Sequence, residues 1–274
     1  MYALLARLWL VIGLLAYSLL AMGQCDAPQL NGPHQAINTW RVVDGDTLHI
    51  DADQRLRLAM FNTPELARSG APDEPLAKAA KQAVMAFMQA STEVFWQVGL
   101  DQHQQPARDH YGRWLGQVYN AQGDWLAAHL VAQGLAFAIS VSPRAAPACL
   151  WQLEAQARVA AKGIWSSRLG QPLAAASVTP PQGGFVLLAG TVIKVTHSQH
   201  DWYMELDGEV VLRLNKKRWA AAHGSAPESW LHKQVQARGW LVWRKLSAKQ
   251  RQRGFKSGLM HISHPHMLVL HQAK

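Results

Sequence analysis

The chain has 274 residues, of which 49% are hydrophobic and 16% charged; it can bury a sizeable core, which excludes a disordered chain and a scaffold held mainly by disulfides. Its formal net charge of +9 is uneven, because residues 1–182 carry 13 lysines and arginines against 13 aspartates and glutamates, while residues 183–274 carry 14 against 5. Such a basic segment suits a polyanion, either nucleic acid or an anionic membrane, and the break in composition predicts two domains.

The opening stretch "MYALLARLWLVIGLLAYSLLAMGQC" has one cation, Arg7, ahead of an uncharged apolar run from Leu8 to Met22, with small residues at Ala21 and Gly23. This is the pattern of an export signal over residues 1–23, which places the mature chain in the periplasm or outside the cell. A retained N-terminal anchor is the alternative. Cys25 and Cys149 are the only cysteines, and both lie beyond the cleavage point. In an oxidising compartment a disulfide between them is the natural reading, with two separate thiols as the alternative.

Short β-rich runs follow in "TWRVVDGDTLHID", "QRLRLAMF", "TEVFWQVGL" and "WLGQVYN". Helical patterns alternate with them. In "EPLAKAAKQAVMAFMQA" the residues Leu76, Ala79, Ala80, Ala83, Val84 and Phe87 share one face, while "GDWLAAHLVAQG" and "CLWQLEAQARVAAKG" end on Gly134 and Gly163. No regular strand–helix–strand alternation is present, so the expected class is α+β, with helices on a small antiparallel barrel. Residues 167–184, "SRLGQPLAAASVTPPQGG", combine small residues and three prolines without periodicity and read as a linker.

Beyond it, "FVLLAGTVIKVTHSQHDWYMELDGEVVLRL" predicts three strands, followed by a charged segment with helical potential. "QVQARGWLVWRK" and "GLMHISHPHMLVL" supply two more strands. Five strands with an insertion after the third predict an OB-type barrel over residues 185–274. Cations and aromatics interleave there: Lys216, Lys217 and Arg218 next to Trp219, and Arg238, Trp240, Trp243, Arg244 and Lys245 together. Rings that stack bases among charges that meet phosphates suit single-stranded nucleic acid. Buried rings with solvated charges would give the same pattern.

Three motifs carry chemistry. "VVDGDT" places Asp44 and Asp46 on a turn that a hard cation can use, since such ions take oxygen ligands. In "RLAMFNTPEL", Leu56, Leu58 and Met60 alternate with Arg57, which points away from the packed face. "DHYGRWLGQVY" groups Asp109, Tyr111 and Arg113 around Gly112. Two arginines with a metal-binding carboxylate and a glutamate suit phosphodiester hydrolysis, because guanidinium forks match phosphate oxygens and the charge that builds on them.

Joined in order over residues 39–166, "VVDGDT", Arg57 five residues before "NTPE", "DHYGR", "VAQGLA" and "EAQARVAAKGIW" resemble the thermonuclease family, the staphylococcal nuclease-like enzymes. The resemblance implies that residues 24–166 form a five-stranded OB-like barrel with three helices, to which a second, mostly β, OB-like barrel is added. It also implies Ca²⁺-dependent cleavage of DNA or RNA to 3′-phosphate ends. Asp46 and the Thr63 carbonyl would bind the Ca²⁺, Arg57 and Arg113 would hold the phosphate, Glu65 would position or deprotonate water, and Tyr111 would lie near the substrate. Asn62 stands where the family has a second carboxylate ligand; its amide oxygen still offers a donor, with one charge fewer. Ser140 replaces a substrate-side tyrosine, and Ser142 another aromatic nearby.

Overall fold

The computed structural model describes residues 25–67, 70, 72–101, 103–140, 146–223 and 226–270. The expected export signal and Ser142 lie outside these residues. No helix among them is long and apolar enough to cross a membrane.

The N-terminal barrel is built from β1 (His34–Ala36), β2 (Trp40–Val42), β3 (Thr47–Ile50), β4 (Gln54–Leu58), β6 (Val94–Val98) and β7 (Trp114–Asn120). The short β5 (Phe61–Asn62) leaves the barrel to pair antiparallel with β8 (Phe137–Ala138). β2 pairs with β3, β3 with β4, β4 lies parallel to β7, β7 pairs with β6, and β6 with β1. β1 and β2 are thus two halves of one broken first strand that closes the ring. Alternation aims Leu48, Ile50, Leu56 and Leu58 inward, each almost fully buried, and each such side chain contributes about 1.5–3 kcal/mol of burial free energy.

Three helices cover this barrel: α1 (Ala77–Ala90), α2 (Leu126–Ala132) and α3 (Ala148–Val159). α1 buries Ala77, Ala80, Val84, Phe87 and Met88, a stripe at helical spacing. α2 stops at Gly134, whose φ of +69° suits glycine and whose N–H donates to the Val131 carbonyl at 3.0 Å. α3 ends at Val159, earlier than the glycine at 163 suggested. Cys149 lies in the first turn of α3, bonded to Cys25 with the two Cα atoms 5.4 Å apart.

The segment expected as a linker belongs instead to the second barrel. Its β9 (Leu173–Ala174) pairs in parallel with Leu188 and Ala189 of β10 (Gly184–His197), and Ala175 and Val178 are buried. The absence of a side chain at Gly190 allows this, because a Cβ there would meet that of Ala175 at 2.6 Å. β10 then pairs with β11 (Asp201–Leu206), β11 with β12 (Val210–Asn215), β12 runs parallel to β14 (Gly258–Ile262), and β14 pairs with β13 (Gln234–Trp243), which closes on β10. α4 (Lys216–His223) follows the third strand of this ring and α5 (Ala248–Gln252) the fourth; β15 (Leu268–Leu270) adds to β13. Both rings therefore share one circuit, in which the third strand lies parallel to the fifth. The barrels also share apolar contact, since Phe137, Ile139, Ile164 and Trp165 pack in one cluster with Leu188, Met204 and Leu241.

Candidate active site

The turn between β2 and β3 brings Asp44 and Asp46 inside, 4% and 2% exposed. Gly45 makes this possible: a Cβ there would lie 2.7 Å from both Oγ1 and Cγ2 of Thr63 and 2.8 Å from the Cβ of Ala80. The turn is thereby pressed against the chain leaving β5, and Asp46 Oδ2 accepts hydrogen bonds from the Thr63 N–H at 3.1 Å and the Thr63 hydroxyl at 3.2 Å. Asp46 N–H in turn donates to Asp44 Oδ1 at 3.2 Å.

Arg57 does point opposite to Leu56 and Leu58, as alternation requires, yet it is buried rather than exposed. The Asp46 turn and β5 roof it over. Its Nη1 stands 2.6 Å from Asp46 Oδ2, and its Nη2 donates to Asn62 Oδ1 at 2.9 Å and to the Phe61 carbonyl at 3.4 Å. Burial is the largest influence on Asp46 and raises its pKa, reinforced by Asp44; the Arg57 charge and the Thr63 and Thr47 hydrogen bonds pull the other way without cancelling it.

Arg113 enters from the β7 side. Asp109 holds it, accepting from its Nε at 2.7 Å and from its backbone N–H at 2.9 Å. Burial works to raise the pKa of Asp109, but the bonds from Arg113 and from the Tyr111 N–H together outweigh it and hold the carboxylate below its ordinary range. Arg113 Nη1 donates to Thr47 Oγ1 at 3.1 Å, and that same hydroxyl donates to Asp46 Oδ1 at 3.2 Å. One hydroxyl therefore joins the two arginine arms, and Thr47 is a site residue that motif reading passed over. Its neighbour Asp46 was the only signal for it. Among the described residues Arg113 Nη2 has no partner. Tyr111 is 65% exposed, with the Arg113 guanidinium 5.5 Å from its ring centre.

Glu65 is exposed, two residues beyond Thr63. Its N–H donates to Glu74 Oε2 at 2.8 Å and its carbonyl accepts from the Glu74 N–H at 3.0 Å, so a loop closed on itself carries it toward α1. Ser140 is fully buried: its hydroxyl accepts from the Ala146 N–H at 2.8 Å, and its carbonyl accepts from Ser263 Oγ of the second barrel at 3.0 Å. It faces the other domain and offers no stacking surface.

Among the described residues there is no cluster of three or more His, Cys, Asp or Glu suited to a metal. The oxygens of Asp44, Asp46 and the Thr63 carbonyl nonetheless fit a hard cation by their chemistry. Asn62 modifies that cradle in a specific way. Its Oδ1 is turned to Arg57, and its Nδ2 donates to the Thr63 carbonyl at 3.1 Å, so the amide caps one prospective donor and commits its own.

In the second barrel the expected substrate residues separate. Arg238 is not available to a substrate, because its Nη1 lies 2.7 Å from both Glu154 oxygens and 3.1 Å from the Ala138 carbonyl. Trp240 is 41% exposed and meets Phe185 edge-on at 5.0 Å. Trp219 is core, packed against Trp230 at 5.0 Å. Lys216 Nζ sits 4.8 Å from the Trp202 ring centre, and Arg218 Nη1 donates to the Ser263 carbonyl at 3.4 Å. Lys217 and Lys245 are exposed; Arg244 is half-buried and donates to the Lys256 carbonyl at 2.8 Å.

Barrel and network together define a small-barrel protein in which a buried carboxylate, Asp46, is joined to two arginines, directly to Arg57 and through Thr47 to Arg113. Residues 55–167 match the family described as staphylococcal nuclease homologue. The thermonuclease of Staphylococcus hyicus is 30% identical over 141 residues, covering 50% of this chain and 79% of that protein. The thermonuclease of Staphylococcus intermedius is 35% identical over 82 residues, 29% of this chain and 45% of that protein. The chain belongs to the family of staphylococcal nuclease homologues; the second barrel lies beyond the matched segment.

Proposed function

We propose that this chain is an exported, Ca²⁺-dependent nuclease that hydrolyses phosphodiester bonds of DNA or RNA to 3′-phosphate ends and uses its basic second barrel to hold the substrate. The observation that carries this reading is the Thr47 bridge, which fixes Arg57 and Arg113 on one carboxylate. Two guanidinium groups held on one network can meet a phosphate together, and their charges match the negative charge that grows on it during attack. Arg113 has Nη2 to offer; Arg57 must exchange part of its hold on Asp46 and Asn62 for phosphate oxygens. Asp46, the Thr63 carbonyl and Asn62 would hold the Ca²⁺, which when bound polarises the phosphate. Glu65 positions or deprotonates the attacking water, and its exposure leaves it accessible to solvent and substrate. Tyr111, beside Arg113, contacts the substrate phosphate.

A second reading has its own observation. The Asn62 amide on the Thr63 carbonyl leaves the cradle one charge and one donor poorer, which suits a nucleic-acid-binding protein with little catalysis. Cleavage of a labelled oligonucleotide by the mature chain, with Ca²⁺ and with chelator, decides between them. Ca²⁺-dependent products support the nuclease, and binding without products supports the second reading.

A further inference from the structure

The loop joining β13 to β14, "RKLSAKQRQRGFKS" over residues 244–257, holds six cations and no carboxylate. It is a built arm rather than a loose loop. Its base is closed by the Arg244 N–H donating to the Ser257 carbonyl at 2.9 Å. Lys256 Nζ pins the arm to the β11–β12 turn through the carbonyls of Leu206 and Gly208. Ser247 and Gln250 cap α5 reciprocally, the Ser247 N–H donating to Gln250 Oε1 at 2.8 Å and the Gln250 N–H to Ser247 Oγ at 3.2 Å. Lys245, Lys249, Arg251 and Arg253 remain exposed and make no salt bridge among the described residues.

Arg244, Lys245, Arg251, Phe255 and Lys256 line a pocket of about 670 Å³ together with one carboxylate, Glu209, which lies 3.4 Å from Ser257 Oγ at the base of the arm. Phe255 is 50% exposed although it is the arm's one aromatic residue. An exposed ring set among exposed cations is the arrangement that takes a base on its face and the flanking phosphates on its charges. A membrane would ask for something else: an amphipathic element with an apolar face. α5, "AKQRQ", buries no residue and has no such face.

We propose that the 244–257 arm is a binding site for single-stranded nucleic acid, with Phe255 stacking a base and Lys245, Lys249, Arg251 and Arg253 meeting the phosphates. The proposal deepens the substrate-holding role given to the second barrel and shifts it from Arg238, which the barrel interface consumes, to residues 245–255.

The test uses the full mature chain with chelator present, so that no cleavage occurs, and measures affinity for a labelled oligo-dT across a salt series. Lys249→Gln/Arg251→Gln/Arg253→Gln should weaken binding and lower the salt slope by about 2, since each phosphate contact on a single strand contributes about 0.7. Phe255→Ala should weaken single-strand binding about tenfold with the slope unchanged. Circular dichroism of both variants should match the parent, since these side chains are solvent-exposed. Unchanged affinity and slope in the triple variant would overturn the proposal. So would a Phe255→Ala loss that is equal for duplex DNA, or anionic vesicles binding the arm more tightly than oligo-dT. If the parent fails to cleave an oligonucleotide with Ca²⁺, the nuclease reading falls while the arm assignment stands on the binding data.

Discussion

Arg238 of the second barrel and Glu154 of α3 form a buried ion pair, the guanidinium Nη1 at 2.7 Å from each carboxylate oxygen and the two side chains only 14% and 6% exposed. The pair also fixes β8, because Ala138 donates its N–H to Glu154 Oε1 at 2.8 Å while its carbonyl accepts from Arg238 at 3.1 Å. β8 is the strand partner of β5, with Ala138 opposite Phe61 and Phe137 opposite Asn62. The second barrel is thus coupled to the strand that carries Asn62.

Arg238→Ala should therefore cost about 3–5 kcal/mol, the penalty for leaving a buried carboxylate without its partner. Urea denaturation of parent and variant measures it. Pairing Arg238→Met with Glu154→Leu should recover much of the loss, because neither charge is then stranded. A loss below about 1 kcal/mol in the single variant, the range of a solvent-exposed pair, would show that the interface is open in solution.

Asn62→Asp tests the cation cradle. An aspartate has no N–H to give the Thr63 carbonyl, so it frees that oxygen and adds a charge beside Asp46. Without Ca²⁺, a carboxylate oxygen in the place of the Asn62 Nδ2 that now donates to the Thr63 carbonyl at 3.1 Å would repel that carbonyl, and the melting temperature should fall by a few degrees, equivalent to about 1 kcal/mol. Ca²⁺ should restore it and bind more tightly than to the parent. Calorimetry showing equal Ca²⁺ affinity in parent and variant would mean that the side chain at 62 does not reach the ion.

The Asp109–Arg113 pair predicts a pH dependence. The pKa of Asp109 is lowered in the fold, so its stabilising contribution is fully present above its unfolded pKa of about 3.9 and is lost as pH falls through the lower folded value. Asp109→Asn should be destabilised by about 2 kcal/mol at neutral pH and converge with the parent in strong acid. It should also slow cleavage by loosening Arg113. Parallel stability curves across the acid range would remove the ion pair as the cause.

The bond between Cys25 and Cys149 closes a loop with a sequence separation of 124. Chain entropy allows it about 5 kcal/mol as an upper figure. Reduction should lower the melting temperature, and mass mapping of protein purified under oxidising conditions should find the two cysteines linked; free thiols in such protein would refute the assignment.

Much of this was legible in the chain. Alternation in "QRLRL" marks the first barrel and the count of five strands the second, and the order of short motifs points to the family. Side chains whose partners lie far along the chain were not legible. Arg238 sits on the polar side of an alternating strand and reads as solvent-facing, because nothing in the strand shows that α3 covers that side. Ala175 looked like linker until Gly190 left room for it. Thr47 bridges two arms brought together only by the parallel pairing of β4 with β7, and Arg57 is buried because β5 doubles back over it.

The most direct measurement is oligonucleotide cleavage by the chain with Ca²⁺ and with chelator, run beside Arg113→Ala and Glu65→Gln. Turnover should require Ca²⁺ and fall by about a hundredfold or more in each variant, since each loses a group acting on the transition state. Full activity in chelator, or variants that cleave as fast as the parent, would contradict a Ca²⁺-dependent site built on these residues.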